Sequence, residues 1–392
     1  MSCSAGSVPV VHVLSWLPVG GVERQLIEVL TRFDRDRYAP QICCIRERGE
    51  LADEAEARGL PVFVVPQRAR FHPITLPRLA RHFSRARAAV MHAHMYRAGA
   101  TGSVAAWLAR VPVRVCTVHT VRGWDSPHQV RTERRLQRLK DAFIAVSDAV
   151  RADFVERVGI SESRVEVIRN GIDSKDLRAR AELARSTATA AATVRNRLGL
   201  PSDRAIIGAI GRLVPDKAHD VLLRAFALLA GRFPDVDVAI AGEGPLRPEL
   251  TALARELGLE RRIHLLGTVT EIPEFLGQLA FVAQPSRREG FSLGIIEALA
   301  TGNPVVTTDV GGNREAVQHG YTGLLVPPDD AEALADALTR LLGDEALRRR
   351  MGAAAASTGE HFDIAHTVDA LQSLYDRLLA TRAPNAPRLR QP

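Results

Sequence analysis

The sequence predicts an α/β protein with two doubly wound parallel sheets. Short apolar runs rich in Val and Ile, beginning with "VPVVHVLSW", alternate with longer helical patterns. This alternation is typical of a parallel sheet covered by helices on both faces. The same rhythm restarts at "AIIGAIGRL", after a stretch rich in Ala, Arg and Thr. With 392 residues, of which 46% are hydrophobic, the chain is long enough to bury two separate cores.

The restart of the pattern divides the chain into domains. We expect an N-terminal doubly wound domain over residues 1–173, a linker or insertion over 174–203, and a C-terminal doubly wound domain over 204–360. The pattern of residues 361–382 predicts a final helix. Residues 383–392, "APNAPRLRQP", are typical of a frayed tail.

The positive charge of the chain is concentrated in its first half. The formal net charge is +7, and residues 1–172 hold 26 Lys and Arg against 17 Asp and Glu. This excess favours an anionic surface or substrate as a partner, and a solvated basic face is the alternative interpretation. Aromatic residues make up only 5% of the chain. Because a nucleic-acid-binding protein needs aromatic stacking platforms, we expect no nucleic acid partner.

The cysteines and the apolar runs indicate a cytoplasmic protein. The four cysteines form no C-x-x-C pair and have no metal-ligand spacing with His, as expected of buried thiols in a reducing compartment. The first apolar run ends in glycines without a small-residue cleavage site, so we interpret it as a buried strand and not as a signal peptide. No apolar stretch reaches the ~18 residues needed to cross a bilayer.

Candidate ligand-binding residues of the first domain follow its strands, because open α/β sheets bind ligands at the carboxyl ends of their strands. Gly20 and Gly21 in "LPVGGVERQ" open a helix, where free N–H groups can hold an anion; a plain tight turn is the alternative. His92 and His94 end the fourth strand and His119 the fifth. Such a histidine can bind a sugar hydroxyl or carry a proton, or can satisfy local backbone groups.

In the second domain, the loop "GRLVPDK" places Arg212 and Lys217 after a strand. Two cations on one loop can neutralise a diphosphate without a metal. Gly242 in "AGEGPLRPEL" also follows a strand, but the phrase lacks the third glycine of a dinucleotide fingerprint, which disfavours NAD. The D-x-D pattern of Asp235 and Asp237 lies at the start of a strand, away from the ligand-binding edge, so we expect no metal there.

The phrase "REGFSLGIIEALATGNPVV" places Glu289 in a loop and Glu297 eight positions later, inside a predicted helix. Ser292 is a plausible N-cap, and the N–H groups that follow it are unpaired by helix geometry. The two acids are too far apart to act on one carbon, so we expect them to bind separate parts of one extended ligand, with phosphates between them at the helix N-terminus. A nucleotide sugar has this layout. The alternative is that Glu297 pairs with an arginine and Glu289 is solvated.

This phrase is similar to the E-x7-E motif of the retaining GT-B glycosyltransferases of family 4. Other matching phrases occur in order along nearly the whole chain, and together they are highly specific: "LPVGGVERQ", "TVHT", "FIAVSDAVRADF", "VEVIRNGID", "GRLVPDKAHDVLLRAF", "AGEGPLRPEL", "LLGTVTEIPEFL" and "PSRREGFSLGIIEALATGNPVVTTDVGGNREAV". The resemblance implies two Rossmann-like domains facing each other across a cleft. It also implies that the last helix crosses back onto the N-terminal, acceptor-side domain.

The resemblance also implies roles for individual residues. Arg212 and Lys217 would bind the donor diphosphate, Glu297 the ribose hydroxyls, and Glu289 the hydroxyls of the transferred sugar. His119 would lie near the reacting carbon. The full donor-binding set is Arg212, Lys217, Gly242, Gly290, Phe291, Ser292, Leu293, Gly294 and Glu297. The phosphate and acceptor side is Gly20, Gly21 and His94.

The activity implied is transfer of a hexose from a nucleoside diphosphate sugar to a hydroxyl of a glycan or lipid-linked acceptor, with retention and with no metal or cofactor. We favour attack on the same face as the leaving group, because the family offers no agreed carboxylate nucleophile for a double displacement. Two alternatives stay open. One is a sugar-nucleotide 2-epimerase of the same architecture, and the other is a noncatalytic sugar-nucleotide-binding protein.

A second hypothesis concerns the inner face of the cell membrane. The segment "RARFHPITLPRLARHFSRAR" carries six arginines: Arg68, Arg70, Arg78, Arg81, Arg85 and Arg87. Each arginine near an anionic leaflet contributes about 1 kcal/mol of binding free energy. We therefore expect peripheral docking of the first domain, which would bring it to lipid-linked acceptors.

Overall fold

Two parallel sheets organise the chain in a computed structural model that describes residues 6–66 and 74–382. One unit takes its described residues from 1–170 and 364–392, and the other is residues 171–363. All pairings between the named strands are parallel in these described ranges. The predicted fold class, α/β with two doubly wound domains, is confirmed.

The first unit has a seven-stranded sheet within the described residues. The strands are β1 (Val8–Leu14), β2 (Tyr38–Cys44), β3 (Val62–Val64), β4 (Val90–His94), β5 (Val113–Val118), β6 (Ala142–Ala145) and β7 (Val165–Val167), in the order β3-β2-β1-β4-β5-β6-β7. The helices between them are α1 (Gly21–Thr31), α2 (Ala52–Ala57), α3 (Thr75–Arg85), α4 (Met95–Leu108), α5 (Pro127–Leu136) and α6 (Asp148–Val158). The central strands are buried along most of their length, as expected of strands covered on both faces.

The second unit has a six-stranded sheet among its described residues. The strands are β8 (Ala205–Ile210), β9 (Val236–Ala241), β10 (Ile263–Gly267), β11 (Phe281–Gln284), β12 (Val305–Thr308) and β13 (Gly323–Val326), in the order β10-β9-β8-β11-β12-β13. The helices are α7 (Ser174–Arg185), α8 (Ala188–Leu198), α9 (His219–Leu229), α10 (Arg247–Glu256), α11 (Ile272–Leu276), α12 (Leu293–Ala300), α13 (Asn313–Ala316), α14 (Ala331–Gly343) and α15 (Glu345–Gly359).

The last helix, α16 (Ile364–Arg382), belongs to the first unit. Tyr38, at the start of β2, donates its hydroxyl to the carboxylate of Asp376 on α16, and the same hydroxyl lies 3.1 Å from the carbonyl oxygen of Gln372. The side-chain oxygen of Gln372 in turn accepts from the N–H of Asp34 at 3.1 Å. The ring of Tyr375 is fully buried among the hydrophobic residues of this unit. Residues 383–392, the predicted tail, lie outside the described residues.

Residues 174–203, predicted as a linker or insertion, form α7 and α8, which are part of the second unit. The sequence has few large apolar side chains here, and arginines attach these helices. Arg195 on α8 donates to the carbonyls of Pro201 at 2.8 Å, Arg204 at 2.8 Å and Gln278 at 3.2 Å. The second unit consequently begins at residue 171, well before the predicted boundary at 204.

Replacing Arg195 tests whether this segment is an integral part of the second unit. We expect Arg195→Ala to lower the free energy of unfolding by about 1–3 kcal/mol, because it leaves partly buried carbonyls without their donor. The measurement is the midpoint of urea unfolding. The matched control is Arg197→Ala on the same helix, where the side chain is exposed and the expected change is within about 0.5 kcal/mol. Equal effects of the two substitutions would contradict the integral role of α8.

Candidate active site

The loops that follow β8 and β11 lie side by side in the second unit. β8 pairs with β11, and the sheet continues to β9 on one side and to β12 on the other. This is the topological switch point of the sheet, where open α/β sheets bind their ligands. The first loop carries the predicted Arg212 and Lys217, and the second carries Glu289. The structure therefore brings together the two motifs that the sequence singled out.

Lys217 and Glu289 form an ion pair across these loops. The Nζ of Lys217 lies 2.5 Å from the Oε1 of Glu289, and the hydroxyl of Ser286 donates to the same oxygen at 2.7 Å. Only 7% of Glu289 is exposed, so its carboxylate is largely shielded from solvent. The predicted phosphate-binding cation and the predicted sugar-binding acid thus neutralise each other. Arg212, two residues after β8, is exposed.

Additional ion pairs join the same two loops, and sequence reasoning missed them. The backbone N–H of Arg287 donates to the carbonyl of Asp216 at 2.8 Å, and the guanidinium of Arg288 donates to the Asp216 carboxylate at 3.0 Å. Arg287 also pairs with Asp220, at 2.8 Å. Burial alone would raise the pKa of Asp220, but the hydrogen bond and charge of Arg287 hold it below its usual value. The opposite charges of the segments "PDKAHD" and "SRRE" could have predicted these ion pairs.

The N-terminus of α12 supplies the predicted backbone amides. The helix begins at Leu293 with Ser292 at the N-cap position, although the Ser292 hydroxyl makes no capping bond. The first N–H groups of a helix have no partner within it, so they are available to an anion. Gly294 is packed closely, since a Cβ on it would lie 3.2 Å from the Cβ of Ile210 at the end of β8. Glu297 is half-buried on the next turn.

Two other predicted donor residues have structural roles. The ring of Phe291 is buried and packs edge-on against Phe362, with centroids 5.4 Å apart. Gly242 follows β9, and a Cβ on it would lie 1.9 Å from the carbonyl oxygen of Gly211. Close approach of the two strand ends therefore requires glycine at 242. A donor contact by either residue stays a prediction.

Gly311 supports the Glu289 loop from behind. It has a left-handed backbone with φ of +52°, and a Cβ on it would lie 1.9 Å from the carbonyl oxygen of Glu289. The neighbouring Gly312 donates its N–H to the carbonyl of Gly290 at 2.9 Å. Only glycine fits at position 311 without strain, and the position of Glu289 thus depends on Gly311.

In the first unit, four histidines form a row near the switch point between β1 and β4, three of them buried and His119 partly buried. The Nδ1 of His12 lies 3.0 Å from the Nε2 of His94, and the Nδ1 of His94 lies 2.9 Å from the Nε2 of His119. His92 pairs in register with His12 on the adjacent strand. The structure therefore joins the predicted His94 and His119 directly. His12 was missed because the sequence does not show that β1 and β4 are neighbours.

Burial keeps this row uncharged at neutral pH. It lowers the pKa of His119 to about 4, and it lowers those of His12, His92 and His94 well below the usual value of a histidine. One ring nitrogen from each of His12, His92 and His94 lies within 4.8 Å of the other two, which is the spacing of a possible metal site. The rings of His92 and His94, however, are stacked at 18° with centroids 4.6 Å apart. Stacked rings do not converge their lone pairs on one ion, so hydrogen bonding explains this cluster better.

The predicted anion site at Gly20 and Gly21 lies at the N-terminus of α1, where Gly20 is the N-cap in an extended conformation. An acid of the same helix lies beside it. A Cβ on Gly20 would lie 2.4 Å from the Oε2 of Glu23. A phosphate could bind at this helix end only if the carboxylate of Glu23 moved away.

The D-x-D pair has a structural role. Asp237 is only 1% exposed, and its two oxygens bind Arg204 at 2.7 Å and His264 at 2.8 Å. Asp235 is exposed, just before β9 begins. Both oxygens of Asp237 are thus bound by side chains of the protein, and the absence of a metal at this pattern stays a prediction.

A cavity of about 290 Å³ lies next to α3 in the first unit. It is lined by Arg78, Arg81, His82 and Arg85 of α3, and by Val64, Val65 and Pro66 at the end of β3. The three arginines are among those predicted to bind a membrane. Arg68 and Arg70 lie outside the described residues. Over the part of the chain that is described, no helix is both long and apolar enough to cross a membrane.

Comparison with known proteins decides the family. Residues 191–358 match the family described as glycosyl transferases group 1, and residues 19–176 match glycosyltransferase family 4. The chain is 32% identical over 326 residues to a D-inositol 3-phosphate glycosyltransferase of Corynebacterium urealyticum, covering 77% of this chain and 74% of that protein. The chain belongs to glycosyltransferase family 4, with its group 1 glycosyl transferase domain. A Nocardia farcinica protein of the same name is 35% identical over 315 residues, which are 74% of this chain and 66% of the relative.

Solved structures give the fold of this glycosyltransferase. The crystal structure of Anabaena HepE in complex with UDP-glucose superposes with a TM-score of 0.82 at 23% identity, covering 94% of this chain and 99% of HepE. The predicted GT-B fold, built from two Rossmann-like α/β domains, is thereby confirmed. The site described above belongs to a member of the glycosyltransferase family with this fold.

Replacing Gly311 should displace the Glu289 loop. We expect Gly311→Ala to lower the free energy of unfolding by about 1–3 kcal/mol more than Gly320→Ala. Both glycines have positive φ, so both substitutions strain the backbone, but a Cβ on Gly320 meets no atom within 4 Å. Denaturant unfolding gives the difference, and indistinguishable values for the two variants would contradict the support that we assign to Gly311.

The buried histidines should make the glycosyltransferase acid-sensitive. The pKa of His119 and that of His219 are lowered to about 4, mainly by burial, whereas an unfolded histidine titrates near 6.5. Between these values the unfolded chain binds protons that the folded chain does not, so stability is complete above pH 6.5 and falls as the pH decreases. Each such histidine contributes up to about 1.4 kcal/mol per pH unit.

Urea unfolding at pH 7.5 and pH 5.5 measures this dependence. We expect a lower midpoint at pH 5.5, and a smaller difference between the two pH values in His119→Gln, which removes one of the groups that must bind a proton. A midpoint that does not change with pH would show that these side chains are not held neutral by burial.

Proposed function

We propose that this glycosyltransferase moves a hexose from a nucleoside diphosphate sugar to an acceptor hydroxyl, with retention of configuration and without a metal. The observation that carries the proposal is the 2.5 Å pair of Lys217 and Glu289 at the switch point of the second sheet. In this proposal Lys217 is the cation that binds the diphosphate, and Glu289 is the acid that binds the sugar. The solved structure of HepE with UDP-glucose supports a nucleotide sugar as the donor.

Donor binding would exchange one ion pair for another. The Nζ of Lys217 leaves Glu289 for the diphosphate, and Glu289 becomes free to accept hydrogen bonds from sugar hydroxyls. Ser286, which already donates to Oε1 of Glu289 at 2.7 Å, holds the released carboxylate in place. Arg212 and the N–H groups at the start of α12 meet the remaining phosphate charge. No divalent cation is needed for this neutralisation.

The same arrangement favours retention by attack on the face of the leaving group. Stabilisation of the departing diphosphate by Lys217, Arg212 and the helix dipole makes bond cleavage run ahead of bond formation. The phosphate then lies beside the incoming hydroxyl and can take its proton. In this mechanism Glu289 orients the sugar, and it does not form a covalent intermediate.

The acceptor that we propose to test first is D-inositol 3-phosphate, because the relatives at 32–35% identity carry this name. A phosphate-bearing acceptor also fits the basic first unit, where Arg78, Arg81 and Arg85 line one cavity. A hydroxyl of a glycan or of a lipid-linked acceptor at the inner face of the cell membrane is the second class. The cytoplasm is the proposed location in both cases.

Replacing Glu289 tests the proposed donor site. Purified protein is assayed with UDP-, GDP- and ADP-sugars and D-inositol 3-phosphate, and the product is followed by mass spectrometry. We expect Glu289→Ala to lower kcat/KM by about 10²–10³-fold, the usual effect of removing one preorganised polar group. The matched control is Glu332→Ala, an exposed glutamate on α14, which should transfer at the wild-type rate. Unchanged transfer by Glu289→Ala would remove Glu289 from the reaction.

The same assay separates the remaining alternatives. Addition of EDTA should leave transfer unchanged, and a loss that magnesium restores would contradict the metal-free mechanism. Isomerisation of the donor sugar without an acceptor would favour a 2-epimerase instead. Donor binding without release of any product would favour a noncatalytic sugar-nucleotide-binding protein.

A further inference from the structure

A row of hydrogen bonds connects α16 to His119 inside the first unit. The hydroxyl of Tyr375 on α16 lies 3.4 Å from the Nε2 of His12, and the row continues through His94 to the Nε2 of His119. The other ring nitrogen of His119, Nδ1, is buried and has no hydrogen-bond partner among the described residues. A buried nitrogen of this kind needs a hydrogen-bond partner, which a ligand or an ordered water can supply.

The protons in this row can be arranged in only two ways. A neutral imidazole has one N–H and one lone pair, and burial keeps these rings neutral. Each hydrogen bond therefore fixes the direction of the next one. In one arrangement the lone pair of His119 lies on Nδ1, and in the opposite arrangement Nδ1 carries the proton.

Tyr375 distinguishes between these two arrangements. Its hydroxyl has one proton, and it lies 2.5 Å from the Nδ1 of His92 but 3.4 Å from the Nε2 of His12. A phenol is a stronger hydrogen-bond donor than acceptor, so the proton of Tyr375 is assigned to its shorter contact, with His92. The Nε2–H of His92 then donates to the hydroxyl oxygen of Thr117 at 2.6 Å. The oxygen of Tyr375 is left to accept a hydrogen bond from His12.

The direction then follows along the row. With Nε2–H of His12 donating to Tyr375, its Nδ1 must accept from the Nε2–H of His94. The Nδ1 of His94 in turn accepts from the Nε2–H of His119. The Nδ1 of His119, at the end of the row, therefore carries a lone pair.

We propose that Tyr375 is a positioning residue, which acts through His12 and His94 to hold His119 in the tautomer with an unprotonated Nδ1. This nitrogen then accepts a hydrogen bond from a hydroxyl of the donor sugar. The second statement rests on the proposed function, whereas the tautomer itself does not. The last helix of the chain thus determines which hydrogen-bonding partner the site accepts.

The test compares Tyr375→Phe with a matched control on the same helix contact. Tyr38→Phe also removes the hydroxyl of a buried tyrosine that binds α16, through the carboxylate of Asp376 and the carbonyl of Gln372, but it does not interrupt the row. Nitrogen-15 NMR of the full-length protein at pH 7.5 identifies the protonated ring nitrogen of each histidine. We expect an unprotonated Nδ1 at His119 in the wild type and in Tyr38→Phe, and a shift of the proton to Nδ1 in Tyr375→Phe.

Binding and kinetics provide the second readout. Without a lone pair facing the sugar, Tyr375→Phe should lower kcat/KM for UDP-glucose at least 10-fold while its affinity for UDP alone stays unchanged. Tyr38→Phe should change neither value. Equal losses in the two variants would indicate that Tyr375 only stabilises the fold, and would overturn the positioning role.

The outcomes separate this inference from the proposed function. If the wild type neither binds nor transfers a nucleotide sugar, the proposed function fails, and the NMR spectrum still decides the tautomer. If the wild type transfers but carries the proton on Nδ1 of His119, the inference fails alone, whether or not the variants fold. Stoichiometric zinc in the purified protein would also overturn it, because a metal ion would take the lone pairs that the row uses.

Discussion

The ion pair of Lys217 and Glu289 is the interaction on which the proposed donor site depends. A nearly buried carboxylate needs a compensating charge close to it, and Lys217, on the loop after the neighbouring strand of the switch point, supplies it. The pair therefore fixes two loops relative to each other before any substrate contact is considered. In the proposed reaction a phosphate separates the two side chains, because Lys217 gains one anionic partner as it loses the other.

Residues around this pair hold the two loops in place, whereas Lys217 is the residue that changes its partner in the proposed reaction. Arg287 and Arg288 bind Asp216 and Asp220 in partly exposed positions, where each pair contributes little to stability alone. Together they can hold the loops while Lys217 changes partners. Gly311 supports the backbone of Glu289 on the other side by close packing, so the carboxylate can be released without movement of the main chain.

Much of this organisation was predictable from the sequence, and the features that were not predictable have two physical causes. The α/β class, the two sheets, and the loops of Lys217 and Glu289 follow from local patterns and from motif spacing. The order of the strands does not follow from such patterns, so the direct pairing of Lys217 with Glu289 and the place of His12 beside His92 were not foreseen. The packing of segment 174–203 into the second unit was not foreseen for another reason. Its arginines bind backbone carbonyls, and the apolar periodicity of the sequence does not show such contacts.

The return of α16 to the first unit affects the order in which the chain can fold during synthesis. The side chain of Tyr375, on α16, completes the hydrophobic core beside a sheet whose strands all lie within residues 8–167 of the described chain. That interior stays incomplete on the ribosome until the whole second unit has been translated. A nascent first unit thus exposes part of its core for about two hundred codons, and it needs either partial stability or a chaperone during that time.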